Sequence, residues 1–246
     1  MPATPYNGRV LTEDNLRAFG HCPRYFSFGG NAPIPGSIAL LKLTTEKVIS
    51  NAVRSDKLDP MNRHMKCLLQ ASKELKLKDT FLESQVKEME AHVGIALGEV
   101  FNAFSAHKFL PVFGPAPWKV KISKSVIQLE TSGILRSSDK TLHFIEFSPF
   151  QTIHGFRNDP ILHLKIDSVR GFCSTIFKEK KIVIHAFGLN EKYKLLYNKV
   201  ETATTSQIPL QRIERQIKAM EIGYDSPVLP CAFQCPFKHQ CFLETE

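Results

Sequence analysis

Gly133-Ile134-Leu135-Arg136-Ser137-Ser138-Asp139-Lys140-Thr141-Leu142-His143-Phe144-Ile145-Glu146-Phe147 reads as two apolar strands joined by a polar turn. The spacing of apolar residues changes here to a period near two, which puts Leu142, Phe144 and Phe147 in one strand and Ile134 near another. Ser137 to Lys140 supply the small and polar residues that a turn favours. Strands inside a chain otherwise dominated by helical spacing predict a mixed α/β domain, with the acidic Glu146 in its middle.

Working back toward the N-terminus, Val120, Ile122 and Val126 read as one strand and Ile127, Leu129 and Ile134 as the next, making with Leu142 to Phe147 a meander of at least three. Val100 to Leu129 contains no Asp or Glu, while Lys108, Lys119, Lys121 and Lys124 alternate with Phe109, Phe113 and Trp118. Cations interleaved with aromatics suit a phosphate backbone and stacked bases. The same stretch also reads as a loop rich in proline (Pro111, Pro115, Pro117), with its aromatics turned inward and its lysines solvated.

Residues 38–110 lack strand signals and form a mainly helical insert. Leu40, Leu41, Leu43, Val48 and Ile49 mark one helix, and Met61, Met65, Leu68 and Leu69 a second. Phe81, Val86, Met89, Val93, Leu97, Val100, Phe101 and Phe104 mark a third, longer one. Cys67 falls in the second helix and reads as a buried free thiol. Before the loop of Gly29 to Gly36, Thr12 is positioned as an N-cap with Asn15 at N3, opening a helix through Leu16 and Phe19 that Gly20 ends.

Downstream, Asp159-Pro160 starts a helix running through Ile161, Leu162, Leu164, Ile166 and Val169. Phe172 to Phe177, which holds Cys173 as a core thiol, and Ile182 to Phe187 are strand candidates. Asn190 to Lys192 turns the chain before Tyr193 to Tyr197, and Ile208 to Ile222 reads as a final amphipathic helix stopped by Gly223 and Pro227. These boundaries give one domain over 1–246, with a sheet core at 111–200 and a C-terminal helix and cysteine cluster at 201–246.

The 246 residues carry a formal net charge of +8 and are 43% apolar, enough to bury a core. The excess of positive charge suits a polyanionic partner. Met1 to Pro5 shows no secretory pattern and no apolar run reaches membrane length, so a cytoplasmic protein is expected. Three of six cysteines cluster in Cys231-x3-Cys235-Pro236-Phe237-Lys238-His239-Gln240-Cys241. In a reducing compartment such thiolates read as soft-metal ligands, with Cys22 of Cys22-Pro23-Arg24-Tyr25-Phe26 as the candidate fourth. Four thiolates suit iron-sulfur or zinc.

Taken together, the Cys22 motif, the meander with its acidic residue and the C-terminal cysteine frame resemble the RecB-like branch of the PD-(D/E)XK nuclease superfamily. The resemblance is to members that carry a four-cysteine iron-sulfur cluster, such as CRISPR adaptation exonucleases and AddB-type nuclease domains. It implies a restriction-endonuclease-like core. It also implies a [4Fe-4S] cluster on Cys22, Cys231, Cys235 and Cys241 that staples the two ends of the chain, with zinc as the alternative metal.

The catalytic motif of that family departs here. Where an Asp would follow Gly-x-x stands Arg136, in Gly133-Ile134-Leu135-Arg136. Where a Lys would follow the acidic residue stands Ser148, in Glu146-Phe147-Ser148. The family's helical His has no counterpart in Gly94 to Gly98, nor does its Gln-x-x-x-Tyr. Glu146 alone is retained. An arginine beside it is expected to form a salt bridge rather than admit Mg²⁺. Glu130 and Lys165 could stand in as relocated groups, although each reads first as a solvated surface charge.

The expectation is therefore a nuclease-fold protein that does not cut and carries no catalytic Mg²⁺. It would act as a nucleic-acid-binding or assembly factor in DNA processing, DNA being the favoured partner, through Arg24, Lys108, Lys119, Lys121, Lys124 and the surface near Lys238. An active metal-dependent exonuclease with relocated residues, and an iron-sulfur structural subunit of a larger protein complex, are the alternatives.

Overall fold

The computed structural model describes residues 10–21, 34–55, 61–105, 109–122, 124–157, 159, 161–166, 168–169, 181–201 and 207–221. The chain divides into two compact units, Met1–Pro33 with Trp118–Leu129 and Ser206–Glu246, and Ile34–Pro117 with Glu130–Thr205. The fold is mixed α/β, with helices and two sheets.

In the first unit, β1 (Val10–Thr12) pairs in parallel with β4 (Ser125–Thr131), Leu11 lying opposite Ile127. β3 (Ala116–Ile122) completes a three-stranded sheet in the order β1-β4-β3. Helix α1 (Glu13–His21) starts with the expected cap. The Asn15 N–H donates to Thr12 Oγ1 at 3.2 Å and the Thr12 N–H donates to Asn15 Oδ1 at 3.0 Å, so two N-terminal donors are satisfied reciprocally. The helix continues one residue past Gly20. It packs against the C-terminal helix Gln207–Glu221, which buries Ile217 and Met220.

The second unit sets three helices against a five-stranded sheet. Helix α2 (Gly36–Ser55) buries Leu40, Leu41, Val48 and Ile49, and α3 (Met61–Glu74) follows it. After the single turn α4 (Leu77–Thr80), α5 (Glu83–Ser105) buries Val86, Met89, Val93, Leu97, Val100 and Phe104, one stripe at spacings of three and four. The α3 stripe differs from expectation. Met65 and Leu69 are each 49% exposed, and the buried side of the helix is His64, Cys67, Leu68 and Ala71. Cys67 is a buried free thiol as expected.

The sheet runs β2-β5-β6-β7-β8. Its strands are β2 (Leu110–Phe113), β5 (Gly133–Arg136), β6 (Leu142–Phe147), β7 (Ile182–Leu189) and β8 (Leu195–Glu201). β6 and β7 are parallel neighbours in the centre, and both are buried at every residue. The expected single meander is therefore corrected: the period-two stretch breaks at Ser132 and serves two sheets. The stretch read as a proline-rich loop contains β2, an edge strand where Pro111 is tolerated. The turn after Arg136 closes as expected, with the Lys140 N–H donating to the Ser137 carbonyl at 3.0 Å. Tyr193, placed in a strand by the sequence, belongs to the turn before β8 and has φ 57°.

Between β6 and β7 lie α6 (Ile153–Arg157) and a helical run over 161–166. Asp159 caps that run, its Oδ1 accepting the Ile161 N–H at 2.9 Å. The strand candidate Phe172 to Phe177, with Cys173, lies outside the described residues. No described helix is long and apolar enough to cross a membrane.

Candidate functional site

Glu146 is the next-to-last residue of β6, and its carboxylate is 2% exposed. Burying an isolated carboxylate is prohibitive, so it must be matched by a cation. That cation is Lys165, whose Nζ donates to Glu146 Oε2 at 2.6 Å and to the Glu130 carbonyl at 2.6 Å, with only 5% of its side chain exposed. The expectation that Lys165 is a solvated surface charge is overturned. The run 161–166 buries Ile161, Leu162, Leu164 and Ile166 as well and leaves only His163 half-buried, so the lysine stands on its dry side.

Neighbouring groups extend the centre. The Glu130 side chain, 46% exposed, lies 3.7 Å from Lys42 Nζ, and the same ammonium is 3.7 Å from Glu46 Oε1. Ser132 Oγ donates to Glu46 Oε1 at 2.9 Å. Burial raises the pKa of Glu46, against the pull of Lys42, the Ser132 hydroxyl and Lys165, while the Glu130 charge adds to the rise. Among the described residues, three carboxylates are engaged by two ammonium groups. All of these groups belong to the second unit.

The strand register explains why Arg136 takes no part. Gly133 pairs with Ile145 and Arg136 with Leu142. Continued by one residue, this register brings Ser132 level with Glu146, and Arg136 is exposed at the other end of the strand. The salt bridge expected between Arg136 and Glu146 is thus replaced by the one from Lys165. Ser148, where the family motif has lysine, donates instead to Asp159 Oδ2 at 2.9 Å.

A divalent ion needs several oxygen ligands converging on one point. Here Glu146 is held by Lys165, and Glu46 and Glu130 share Lys42. Among the described residues no three His, Cys, Asp or Glu side chains are grouped to hold a metal. As these groups stand, each of the three carboxylates is engaged by a lysine. Sequence reasoning missed Glu46, Lys42 and Ser132. Lys42 and Glu46 are an ordinary i,i+4 pair on α2, and their approach to Ser132 and Glu130 is a tertiary event with no local signature.

The remaining candidates divide by position. Lys119 and Lys121 are exposed on β3, alternating with half-buried Trp118, Val120 and Ile122, and Lys124 is exposed in the turn that follows. β3 is an edge strand of its sheet, so this lysine row stands on an open border. Phe109, expected to interleave with the lysines, is instead packed edge-on against Phe104 and His143. Cys22, Arg24, Lys108, Cys231, Cys235, Lys238, His239 and Cys241 lie outside the described residues.

No protein-family model matches the chain, and no curated protein matches it. Among solved structures it is similar to one described as "Crystal structure of SSO0001", at a TM-score of 0.34 and 14% identity over 82% of this chain and 93% of that one. A likeness at that level carries no argument about activity.

Proposed function

We propose that this chain is a nucleic-acid-binding or assembly protein built on a restriction-endonuclease-like scaffold, whose former cutting centre is closed by an internal lysine. The observation that carries this reading is the buried contact of Lys165 with Glu146: an ammonium on the helical run after the meander stands where an incoming cation would need the carboxylate. The exposed row Lys119, Lys121 and Lys124 supplies the phosphate-binding surface, with DNA as the favoured partner. A [4Fe-4S] cluster on Cys22, Cys231, Cys235 and Cys241 belongs to the same proposal as the staple of the two chain ends, and a cytoplasmic setting keeps its thiolates reduced.

The protein, purified without oxygen, is incubated with single- and double-stranded DNA in Mg²⁺ or Mn²⁺ and also titrated with labelled oligonucleotide across a salt series. No cleavage is expected, together with affinity that falls as salt rises and a shallower salt slope in the variant carrying Lys119→Glu, Lys121→Glu and Lys124→Glu. Cleavage abolished by Glu146→Ala overturns the reading. Binding that ignores salt moves the protein to the class of iron-sulfur subunits in a larger protein complex. Iron and sulfide analysis tests the cluster, and zinc with neither iron nor sulfide would replace it by a zinc site.

A second reading, a nuclease with relocated catalytic groups, is favoured by Lys165, which contacts both Glu146 and the Glu130 carbonyl and acts electrostatically on Glu46. In that case Lys165 would stabilise developing charge on phosphate, and Lys165→Ala would remove cutting while oligonucleotide binding persisted.

A further inference from the structure

The sheet of the second unit holds a second polar array, separate from Glu146. Ser137 Oγ contacts Asp139 Oδ1 in the β5–β6 turn and lies 3.0 Å from His143 Nε2. His143 Nδ1 is 2.9 Å from His185 Nε2, and His185 Nδ1 is 2.8 Å from the Tyr197 hydroxyl. The imidazoles are 8% and 3% exposed, while Tyr197, on edge strand β8, is 43% exposed. Five groups thus form one hydrogen-bonded line from an exposed turn, through the sheet, to its border.

Each link needs one donor and one acceptor, and a neutral imidazole supplies one of each. Ser137 Oγ also lies 3.3 Å from the Thr141 carbonyl, so its proton has two acceptors in the turn and one on His143, and whether it stays in the turn or goes to His143 fixes all the rest. If the Ser137 hydroxyl donates to the Asp139 carboxylate, His143 Nε2–H must donate to Ser137, His185 Nε2–H to His143 Nδ1, and the Tyr197 O–H to His185 Nδ1. If Ser137 instead donates to His143 Nε2, both imidazoles must be Nδ1–H, and Tyr197 accepts from His185 with its own proton turned outward. The two orders carry the same charge and the same heavy-atom positions.

We propose that Asp139, Ser137, His143, His185 and Tyr197 form a two-state proton relay, and that the Asp139 carboxylate sets which state Tyr197 presents at the sheet border. The carboxylate favours the first order, because a bond to an anion is stronger than one to a neutral nitrogen. Passage to the second order moves one proton per link toward Asp139. The Tyr197 proton goes to His185 Nδ1, His185 Nε2–H to His143 Nδ1, His143 Nε2–H to Ser137, and the Ser137 proton to Asp139. Water then accepts the proton from Asp139 and returns one to Tyr197, so no net charge is gained.

The charged and titratable groups around the line are few. Lys181 lies 3.7 Å from Asp139, and Lys199 is the cross-strand partner of His185 on β8. From the helical side the rings of Phe104 and Phe109 meet the imidazoles edge-on and bring no charge. A cation docking at Asp139 would hold the first order, and neutralising Asp139 would release the second. Tyr197 reads the change out, as an acceptor facing outward in one state and a donor in the other.

Nitrogen-15 NMR of histidine-labelled full-length protein distinguishes the tautomers directly. The unmodified protein at neutral pH is expected to show Nε2–H at both His143 and His185. Asp139→Ala is expected to raise the Nδ1–H form at both by the same fraction, although His185 is two side chains away from Ser137. Adding Tyr197→Phe removes the donor of one order and the acceptor of the other, and His143 and His185 are again expected to change by the same fraction. Opposite tautomers in the unmodified protein, unequal shifts, or no shift in Asp139→Ala would each overturn the relay. The unmodified measurement decides even if a variant does not fold.

Discussion

Strand β6 carries two buried polar centres that solve the same problem in opposite ways. His143 and Glu146 are three residues apart, so strand alternation sends them to opposite faces. On one face, shared with Ile145, Phe147 and the helical core, two neutral imidazoles are satisfied by a line of hydrogen bonds. On the other, a carboxylate is satisfied by a full opposite charge. The neutral line can reverse its order without moving an atom other than hydrogen. The ion pair can do nothing without leaving a buried charge, which is why it serves as the plug in the function proposed above.

The largest expected effect breaks the plug. Lys165→Met leaves Glu146 buried without its ammonium, and loss of one partner of such a pair costs about 3–5 kcal/mol. The double variant with Glu146→Leu removes both charges and is expected to recover most of that loss in urea melts. Equal costs for the single and double variants would show that the two groups do not hold each other.

Next in size is the acid behaviour of the histidine line. His185 is pushed down to about 3, chiefly by burial, then by the repulsion it meets from His143 when that ring is protonated and from Lys199. Its folded pKa lies below the unfolded value near 6.5, so the unfolded chain binds the proton first. The stability it contributes is complete above about pH 6.5 and is lost as pH falls toward about 3, at a slope of at most about 1.4 kcal/mol per pH unit. Thermal melts between pH 7 and 4 should show a shallower decline in His185→Gln than in the unmodified protein.

A third change acts beside the plug and spares the line. A Cβ at Gly133 would stand 2.6 Å from Ile49 Cδ1 and 3.0 Å from its Cγ2. Ile49 sits on α2 with Glu46, one turn away, so Gly133→Ala crowds the helix at the point where Ser132 reaches Glu46. Overpacking of this kind costs about 1–3 kcal/mol. A fall in melting temperature with the tautomers of His143 and His185 unchanged would separate the two centres.

How much of this the sequence disclosed depended on whether the cause was local. The α5 stripe from Val86 to Phe104, the reciprocal cap of Thr12 and Asn15 and the turn from Ser137 to Lys140 are written in neighbouring residues, and all were legible. β2 was not, because Pro111 argues against a strand except at an edge, and only the assembled sheet makes it one. Nor was the change of sheet at Ser132, because the polar run Glu130-Thr131-Ser132-Gly133 reads equally as a turn within one meander. Lys165 carries a signal of its own: a lysine among Ile161, Leu162, Leu164 and Ile166 is flanked by apolar residues and must find an anion. The family motif puts Arg136 beside Glu146, whereas the register pairs Arg136 with Leu142 and, continued by one residue, brings Ser132 level with Glu146.

The smallest expected effect tests whether the two centres also differ in the sign of their response to pH. Lys42 is 33% exposed and bridges Glu46 and Glu130 at 3.7 Å, so losing it costs about 0–1 kcal/mol. Lys42→Met should nevertheless move the Glu46 carboxyl, already raised by burial, further up, since one of the cations that lower it is gone. A raised carboxyl binds its proton more tightly in the folded state than in the unfolded one. Stability therefore falls as pH rises from the ordinary carboxylate range through the raised value, and the variant extends that window upward. His185 pulls the other way, favouring the fold as pH rises. Carbon-13 titration of Glu46 checks the shift. A carboxyl that titrates lower in Lys42→Met would mean that desolvation, relieved by the lost side chain, outweighs the lysine's charge.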